Sequence, residues 1–521
     1  MCKMSLNATK IEVSSTGSLQ GGDLVLMAAN ISVHGTVSTS GQGYAESSGD
    51  GKGSRPEYSS YSSSFRVSGS GAGHGGNGAN GCYRYSSWQL PTGGGSYGSS
   101  SDPRTFGSGG GRGRYYYGSC TSQYGAGGRG GGRIYMNAST IEIASGATVS
   151  ADGTQGATYS SYAGGGGGSG GSILMETCNM SGGGIVRASG GASVLGSGAG
   201  GGGRISIRAL IDVSAELTVI ASGGASSSPY TCAGAAGTVY AVHDTSSRLI
   251  FDNNDNSVAT TTLTPFPPDL SGVHLSQIMI LRKTYVGLRQ AETNNDVRAS
   301  SLKLDASSKV TGDTVIIDVR DATIEGSIAG TSEVWLHNSQ SGAGLLTAHS
   351  GSSMTCSGCA LRMSLSGSNV SLHGSITTAT VEVKSLQSIS HTGTLTVSGV
   401  ALTIAVDAAS IAGTVECTGA ACSILVSANA TLQLRGSLSC TNGKCSVSLH
   451  SGGDLNSTAS MSCAGNSQCL VDIASGSSAL LGGSIAGSDI RMLVAGSLQI
   501  QGLVSTSGQG YAESSGDGKG S

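Results

Sequence analysis

Residues 409–417 read ASIAGTVEC, residues 430–440 ATLQLRGSLSC and residues 453–463 GDLNSTASMSC. Each carries apolar-x-apolar, a small residue or glycine, then apolar-x-cysteine. Apolar letters two apart line one face of an extended segment, the mark of a strand with one buried side. Taking Ile328, Met354, Ile376, Leu395, Val415, Leu438, Met461, Ile485 and Val504 as equivalent positions, the unit recurs every 19 to 26 residues. Val, Ile and Thr are frequent there, and no proline follows Pro268.

A unit this short cannot bury its inward row alone, whereas stacked units build a continuous core. The expected fold is all-β: a parallel, right-handed β-helix or β-solenoid, with coils ~4.8 Å apart. The Leu-x-x-Leu-x-Leu frame of a leucine-rich repeat is missing.

Upstream, strands follow glycine tracts: GRGGGRIYM (128–136), GGGGSGGSILM (165–175) and GAGGGGRISI (198–207), then AGTVYAV (236–242). Ile134, Ile173, Ile205 and Val239 serve as equivalents, 32 to 39 residues apart. The longer period predicts coils with loops thrown out from one edge. Glycine would let the backbone turn through φ > 0 and pack closely. Three regions result: a glycine-rich solenoid at 1–251 with a large loop insertion at 39–131, an irregular joint at 252–300, and a cysteine-bearing solenoid at 301–521. An insertion as long as 39–131 is expected to be functional or disordered.

Residues 504–521, VSTSGQGYAESSGDGKGS, repeat residues 37–54 letter for letter, an offset of 467. At that offset Cys2 falls on Cys469, Leu26 on Leu493, Ile31 on Leu498, Val33 on Ile500 and Gly35 on Gly502, so apolar alternation persists where the letters drift. The chain is therefore expected to be one period of a tandem array and the opening of the next.

The cysteines form close pairs: Cys356 with Cys359, Cys417 with Cys422, Cys440 with Cys445, and Cys463 with Cys469. Uneven spacing without regular histidines fits a zinc site poorly. Each pair brackets a turn, and a disulfide closing such a loop contributes ~2 kcal/mol on the chain-entropy model. Cys82, Cys120, Cys178 and Cys232 are left to pair among themselves. Disulfides imply an oxidising, extracellular or cell-surface location. Seven Asn-x-Ser/Thr sequons agree, at Asn7, Asn30, Asn137, Asn179, Asn369, Asn429 and Asn456. No apolar run is long enough to span a membrane.

The run GAGHGGNG (71–78), followed by SYG (96–98), DPRTFGSGGG (102–111), GRGGGRI (128–134), SADG (150–153) and GGSGGSI (167–173), resembles a glycine-rich family. Its members are large surface or secreted β-solenoid proteins of protists, algae and plants, with bacterial relatives. The resemblance covers roughly residues 11–254 and transfers no catalytic residue. Long, disulfide-stapled members are similar to what builds extracellular filaments, including the mastigonemes of algal flagella, an analogy of architecture.

Parallel β-helices can host polysaccharide lyases and hydrolases. Asp313, Asp318 and Asp321 in TGDTVIIDVRD are the carboxylates to weigh; Asp313 and Asp321 share strand parity, and a working pair needs roughly 5 to 9.5 Å between carboxyl groups. Solvated surface charge is the favoured reading, and no catalytic, metal or cofactor site is expected. Asp252 and Asp255 could cap a turn or bind calcium weakly. His34 and His373 precede glycine at equivalent corners, whereas His74 sits in the glycine motif without an assigned role. Lys52 in GDGKGS fails the phosphate-loop pattern. Arg-Gly-Gly segments at 109–118 and 125–135 could meet single-stranded nucleic acid, but a net charge of −3 argues against it. Thirteen of the seventeen tyrosines lie between Tyr44 and Tyr162, Tyr115, Tyr116 and Tyr117 being consecutive, which suits lateral packing on an outer surface.

The functional expectation is a structural subunit of an extracellular filament, sheath or flagellar hair. Its partners would be itself, its covalent glycans and other filament or cell-surface proteins. An adhesin stalk presenting residues 39–131, or a polysaccharide-active enzyme using Asp313 and Asp321, are the alternatives.

Overall fold

A computed structural model describes residues 3–55, 64–82, 84–85, 90–117, 125–159, 163–210, 216–226, 232–288, 297–340, 342–365, 368–386, 388–406, 409–418, 421–427, 432–441, 444–450, 454–473 and 478–506. Strands dominate; among these residues the one helical element is a 3-10 turn, Pro268–Leu270. The fold is a mostly parallel β-solenoid. It divides into two compact units, one of residues 1–287 with 307–309, the other of residues 288–306 with 310–521.

In the first unit, Lys3–Val13, Asp23–Val33, Arg133–Ile143, Ser172–Ser181, Arg204–Ala209 and Thr238–His243 lie side by side in parallel. Short strands Ser18–Gln20, Thr36–Ser38, Thr148–Ser150, Ile185–Arg187 and Thr218–Ile220 form a second parallel sheet. The core between the sheets holds Leu24, Leu26, Ile31, Val33, Met136, Ile141 and Val149, all at most 1% exposed. The expected equivalents Ile134, Ile173, Ile205 and Val239 are direct register partners. Within 252–300, where an irregular joint was expected, His274–Leu281 pairs in parallel with Ser246–Asp252, and Thr264–Pro265 with Tyr285–Leu288.

The glycine tracts between these strands are not loops. In the segment from Gly198 to Gly203, backbone donors point to three neighbours in strict rotation. Gly198 and Gly201 donate to Gly69 and Ala72, Ala199 and Gly202 to Cys232 and Ala235, and Gly200 and Gly203 to Gly191 and Ala188. The next segment repeats the scheme. Gly166 and Ser169 donate to Gly111 and Ser108, Gly167 and Gly170 to Gly198 and Gly201, and Gly168 and Gly171 to Thr154 and Ala151. A rotation of three with no bond inside the segment is the signature of a polyproline-II-type helix. This layer thus needs no apolar side chain: the coils that open with Asp23, Arg133, Ser172 and Arg204 send out glycine-rich segments, and these stack into a hydrogen-bonded bundle. A sheet neighbour on two sides is replaced here by chain neighbours on three or more, so the buried amides find partners.

This bundle bears on two expectations. Most of the described part of 39–131 is packed within it, with residues 68–76 almost wholly buried. Of the two uses expected of glycine, these tracts show close packing, while positive φ is found at Gly41, Gly49, Gly98 and Gly196. None of the glycines in 107–111, 127–132, 164–171 or 198–203 has positive φ. A Cβ on Gly200 would instead overlap the carbonyl oxygen of Gly168.

In the second unit, all nine equivalents read from sequence fall in one register row: Ile328, Met354, Ile376, Leu395, Val415, Leu438, Met461, Ile485 and Val504. The first eight are at most 6% exposed, each contributing ~1.5–3 kcal/mol by burial. A second inward row runs Leu372, His391, Ile411, Leu434, Ser457, Leu481, Ile500. The register corrects one alignment. Met492 is the partner of buried Val471, and Leu493 that of Asp472. Leu26, fully buried, therefore corresponds to Met492; one extra residue before Leu498 restores the offset of 467, since a slip of one flips a strand's faces.

Candidate functional site

The described cysteines of the second unit do more than close turns. Cys417, Cys440 and Cys463 are register partners, as are Cys422, Cys445 and Cys469. Cys440 bonds Cys445, Cys463 bonds Cys469, and Cys356 bonds Cys359. Cys417 is also disulfide-bonded, while the side chain of Cys422 lies outside the described residues. The sulfurs face inward, with Cys440, Cys445, Cys463 and Cys469 at most 2% exposed. The Cys356–Cys359 and Cys463–Cys469 bridges span bulges where strand register shifts, between Cys356 and Ala360 and between Cys463 and Gln468. The result is an internal sulfur ladder along successive coils.

In the first unit Cys82 bonds Cys232 across 150 residues, tying the long insertion to a glycine leg. Cys178, expected to pair within the same set, is unpaired and exposed. It occupies an outward position in Ser172–Ser181. Cys2 and Cys120 lie outside the described residues.

Where glycine legs become strands, the motif residues of 71–78 and 96–108 converge. Asp23, Arg133, Ser172, Arg204 and Thr238 form one register row at the strand starts. Residues 97–106 cross this row as a strap. Arg133 clamps Asp23 through two hydrogen bonds of 2.8 and 2.7 Å. Ser172 donates to the Thr105 carbonyl at 2.6 Å, and Arg204 Nε donates to the Tyr97 carbonyl at 2.8 Å. Arg204 also reaches the Ser100 hydroxyl, which lies 3.0 Å from that of Thr238. Asp269, in the 3-10 turn, accepts from the amides of Ser100 and Ser101 and from the hydroxyls of Ser99 and Ser101.

His74 lies at the centre, fully buried. Its Nδ1 is 2.8 Å from the Gly170 carbonyl and its Nε2 is 2.8 Å from the Thr105 hydroxyl. A carbonyl only accepts, so Nδ1 carries the proton and Nε2 receives the hydroxyl hydrogen. Burial, aided by the positive charge of Arg204, pushes its pKa down to about 3. Burial likewise pushes Arg204 down to about 10, with Asp269 and Tyr97 opposing the shift. Tyr97 packs on the His74 ring, 4.7 Å between centroids. Its hydroxyl donates to the Phe106 carbonyl and burial raises its pKa. Burial would also raise Asp269, but its hydroxyl and amide donors hold it below the usual carboxylate range. The cluster is buried and neutral at its histidine, and its polar groups are paired with one another, so it fastens the bundle to the sheet. Tyr97 is half-buried and packed within this cluster, so it is not one of the tyrosines displayed on an outer surface. The side chains of Tyr115, Tyr116 and Tyr117 lie outside the described ones.

The three carboxylates weighed for catalysis each have their own partners. Asp313 accepts the Thr331 hydroxyl at 2.7 Å. Asp318 is buried, 2% exposed, accepting the Ser339 amide at 2.9 Å. Asp321 accepts the Leu345 amide and the Arg320 guanidinium. Eight residues of straight strand would span ~26 Å, which parity alone did not reveal. Asp252 is held by Arg282, Nε to Oδ1 at 2.7 Å, so its oxygens are already engaged. His34 and His373 are equivalent corners: their amides donate to Val13 and Ala348 of the preceding coil.

Among the sequons, Asn7, Asn30, Asn179, Asn369 and Asn456 are exposed on strands, and Asn429 lies outside the described residues. Asn137 differs: its amide nitrogen donates to Tyr135 Oη at 3.0 Å and to Glu176 at 3.3 Å. Among the described residues no helix is long and apolar enough to cross a membrane. A shallow groove of about 430 Å³ beside the strap is lined by Ser101, Glu176, Arg208, Leu210, Tyr240 and Asp244. No protein-family model, curated protein or solved structure matches this chain.

Proposed function

We propose that the chain is a structural segment of an extracellular filament, sheath or hair, assembled from successive repeats of this solenoid. The carrying observation is the repeat itself. Residues 504–521 restate 37–54, and strand Leu503–Ser505 falls where the first unit has Thr36–Ser38. Coils in parallel register supply a core that can extend without limit. An internal sulfur ladder and a bundle fastened by buried polar contacts suit a load-bearing, oxidised setting. Exposed sequon asparagines offer an outward surface to glycans. The strap is folded onto the sheet, so an adhesin displaying those residues is less favoured; the groove beside Tyr240 is the better candidate for that second reading.

Negative-stain microscopy of the native assembly tests the proposal. Fibres of constant width that bind antibodies raised against this chain are expected. Recovery of the protein only as separate, uniform single particles would contradict it.

A further inference from the structure

The last described coil carries apolar side chains at positions that elsewhere face the core. Leu498 and Ile500 are register partners of buried Ala479 and Leu481, so they point inward. They are nevertheless 41% and 48% exposed. At the offset of 467 their counterparts are Ile31 and Val33, which are 1% and 0% exposed. The difference has an identifiable cause. In the first unit the next strand, Arg133–Ile143, pairs with Asp23–Val33 and sets Ile141 over Ile31 and Ile143 over Val33. Nothing among the described residues does this for Leu498 and Ile500.

We propose that the face presented by Leu498 and Ile500 is the docking surface for one particular segment. That segment is the counterpart of Arg133–Ile143 in the following repeat of the same polymer. The proposal rests on the tandem reading above and gives it a residue-level interface. Three observations select this occupant over an unrelated partner. The coil keeps the apolar pattern of the one that Arg133–Ile143 covers and leads into the letter-for-letter copy at 504–521. Its strands match those of that coil, with Leu498–Ile500 corresponding to 31–33 and Leu503–Ser505 to Thr36–Ser38. The bare positions are apolar and of the size that Ile141 and Ile143 already cover in the first unit. In the sequence copied at 504–521, the covering strand follows a glycine-rich insertion, so the docking unit would bring its own glycine bundle.

Hydrogen–deuterium exchange on two proteins reads this directly: the 521-residue chain, and a two-period chain in which residues 1–521 continue into a second copy of 55–521. A terminal coil opens locally far more easily than an interior one. Amides of 498–505 should exchange at least tenfold more slowly in the two-period chain. Leu498→Asp together with Ile500→Asp should abolish that slowing there and leave exchange of 327–338 unchanged in both chains. Equal exchange of 498–505 in the two wild-type proteins would overturn the proposal. Protection in the single-period chain that grew with its concentration would also overturn it, by assigning the face to contacts between copies. Neither readout requires filaments, so the interface can fail or stand independently of the filament reading.

Discussion

The amide of Gly167 donates to the carbonyl of Gly198 across 2.9 Å, with no side chain on either residue to keep the segments apart. Three residues later Gly170 makes the same bond to Gly201. That spacing is what lets a chain with 88 glycines build a packed layer without an apolar core. Glycine costs more conformational entropy to order than any other residue, and the bundle offsets this by pairing its buried amides.

A methyl group in these legs should therefore be far more harmful than an ordinary core substitution. A Cβ on Gly167 would overlap the Gly191 carbonyl, whereas one on Gly95 meets nothing within 4 Å. Gly167→Ala should cost ~3 kcal/mol or more through backbone displacement, and Gly95→Ala should stay within ~0.5 kcal/mol. Urea unfolding of the two variants checks both values.

The first unit should lose stability in mild acid through His74. Its folded pKa of about 3 lies below the ordinary value of 6.5, so the unfolded state takes up the proton first. The contribution is complete above pH 6.5 and declines as pH falls towards 3. Between pH 7.5 and 4.5 the loss should be roughly 3 kcal/mol. Urea titrations across that range check it, and His74→Gln should flatten the slope.

His391 adds a term of the same sign in the second unit. It sits 3% exposed in the inward row between Leu372 and Ile411, and among the described residues neither ring nitrogen has a partner at full hydrogen-bond geometry, the Thr414, Leu372 and Gly393 backbone being the nearest polar groups. Burial lowers its pKa. His391→Leu should stabilise this unit, and more at pH 5 than at pH 8. Thermal melts at the two pH values give the answer; a destabilised variant would mean that the imidazole is worth more to the row than an apolar side chain of similar size.

Sequence and structure part company where spacing stops being informative. Period-two alternation placed Ile328 through Val504 in one row because an inward face tolerates few polar residues. Nothing comparable marks a glycine leg. Gly198 to Gly203 have almost no side chain to alternate, and their rotation of three is visible only in backbone partners. The same silence hid the site: His74, the strap residues Tyr97 and Thr105, and Arg204 come from separate segments and meet because hairpins stack. Buried charge offered one usable hint, since the arginines at 133 and 204 both open strands directly after glycine tracts.

Disulfide contributions should follow loop length. Cys82–Cys232 closes a loop of about 150 residues and is worth ~5 kcal/mol on the chain-entropy model, against ~2 kcal/mol for each short bridge of the second unit. Cys82→Ser should thus weaken the first unit more than Cys440→Ser weakens the second, read by hydrogen exchange in each unit. In the native protein Cys178 should be alkylated without reductant, being exposed and unpaired.

Fibre diffraction from aligned native filaments tests the central claim most directly. Coils stacked along the filament axis should give a meridional reflection at ~4.8 Å, the spacing between neighbouring strands. The same spacing found only on the equator, or missing altogether, would contradict an axis built from this solenoid.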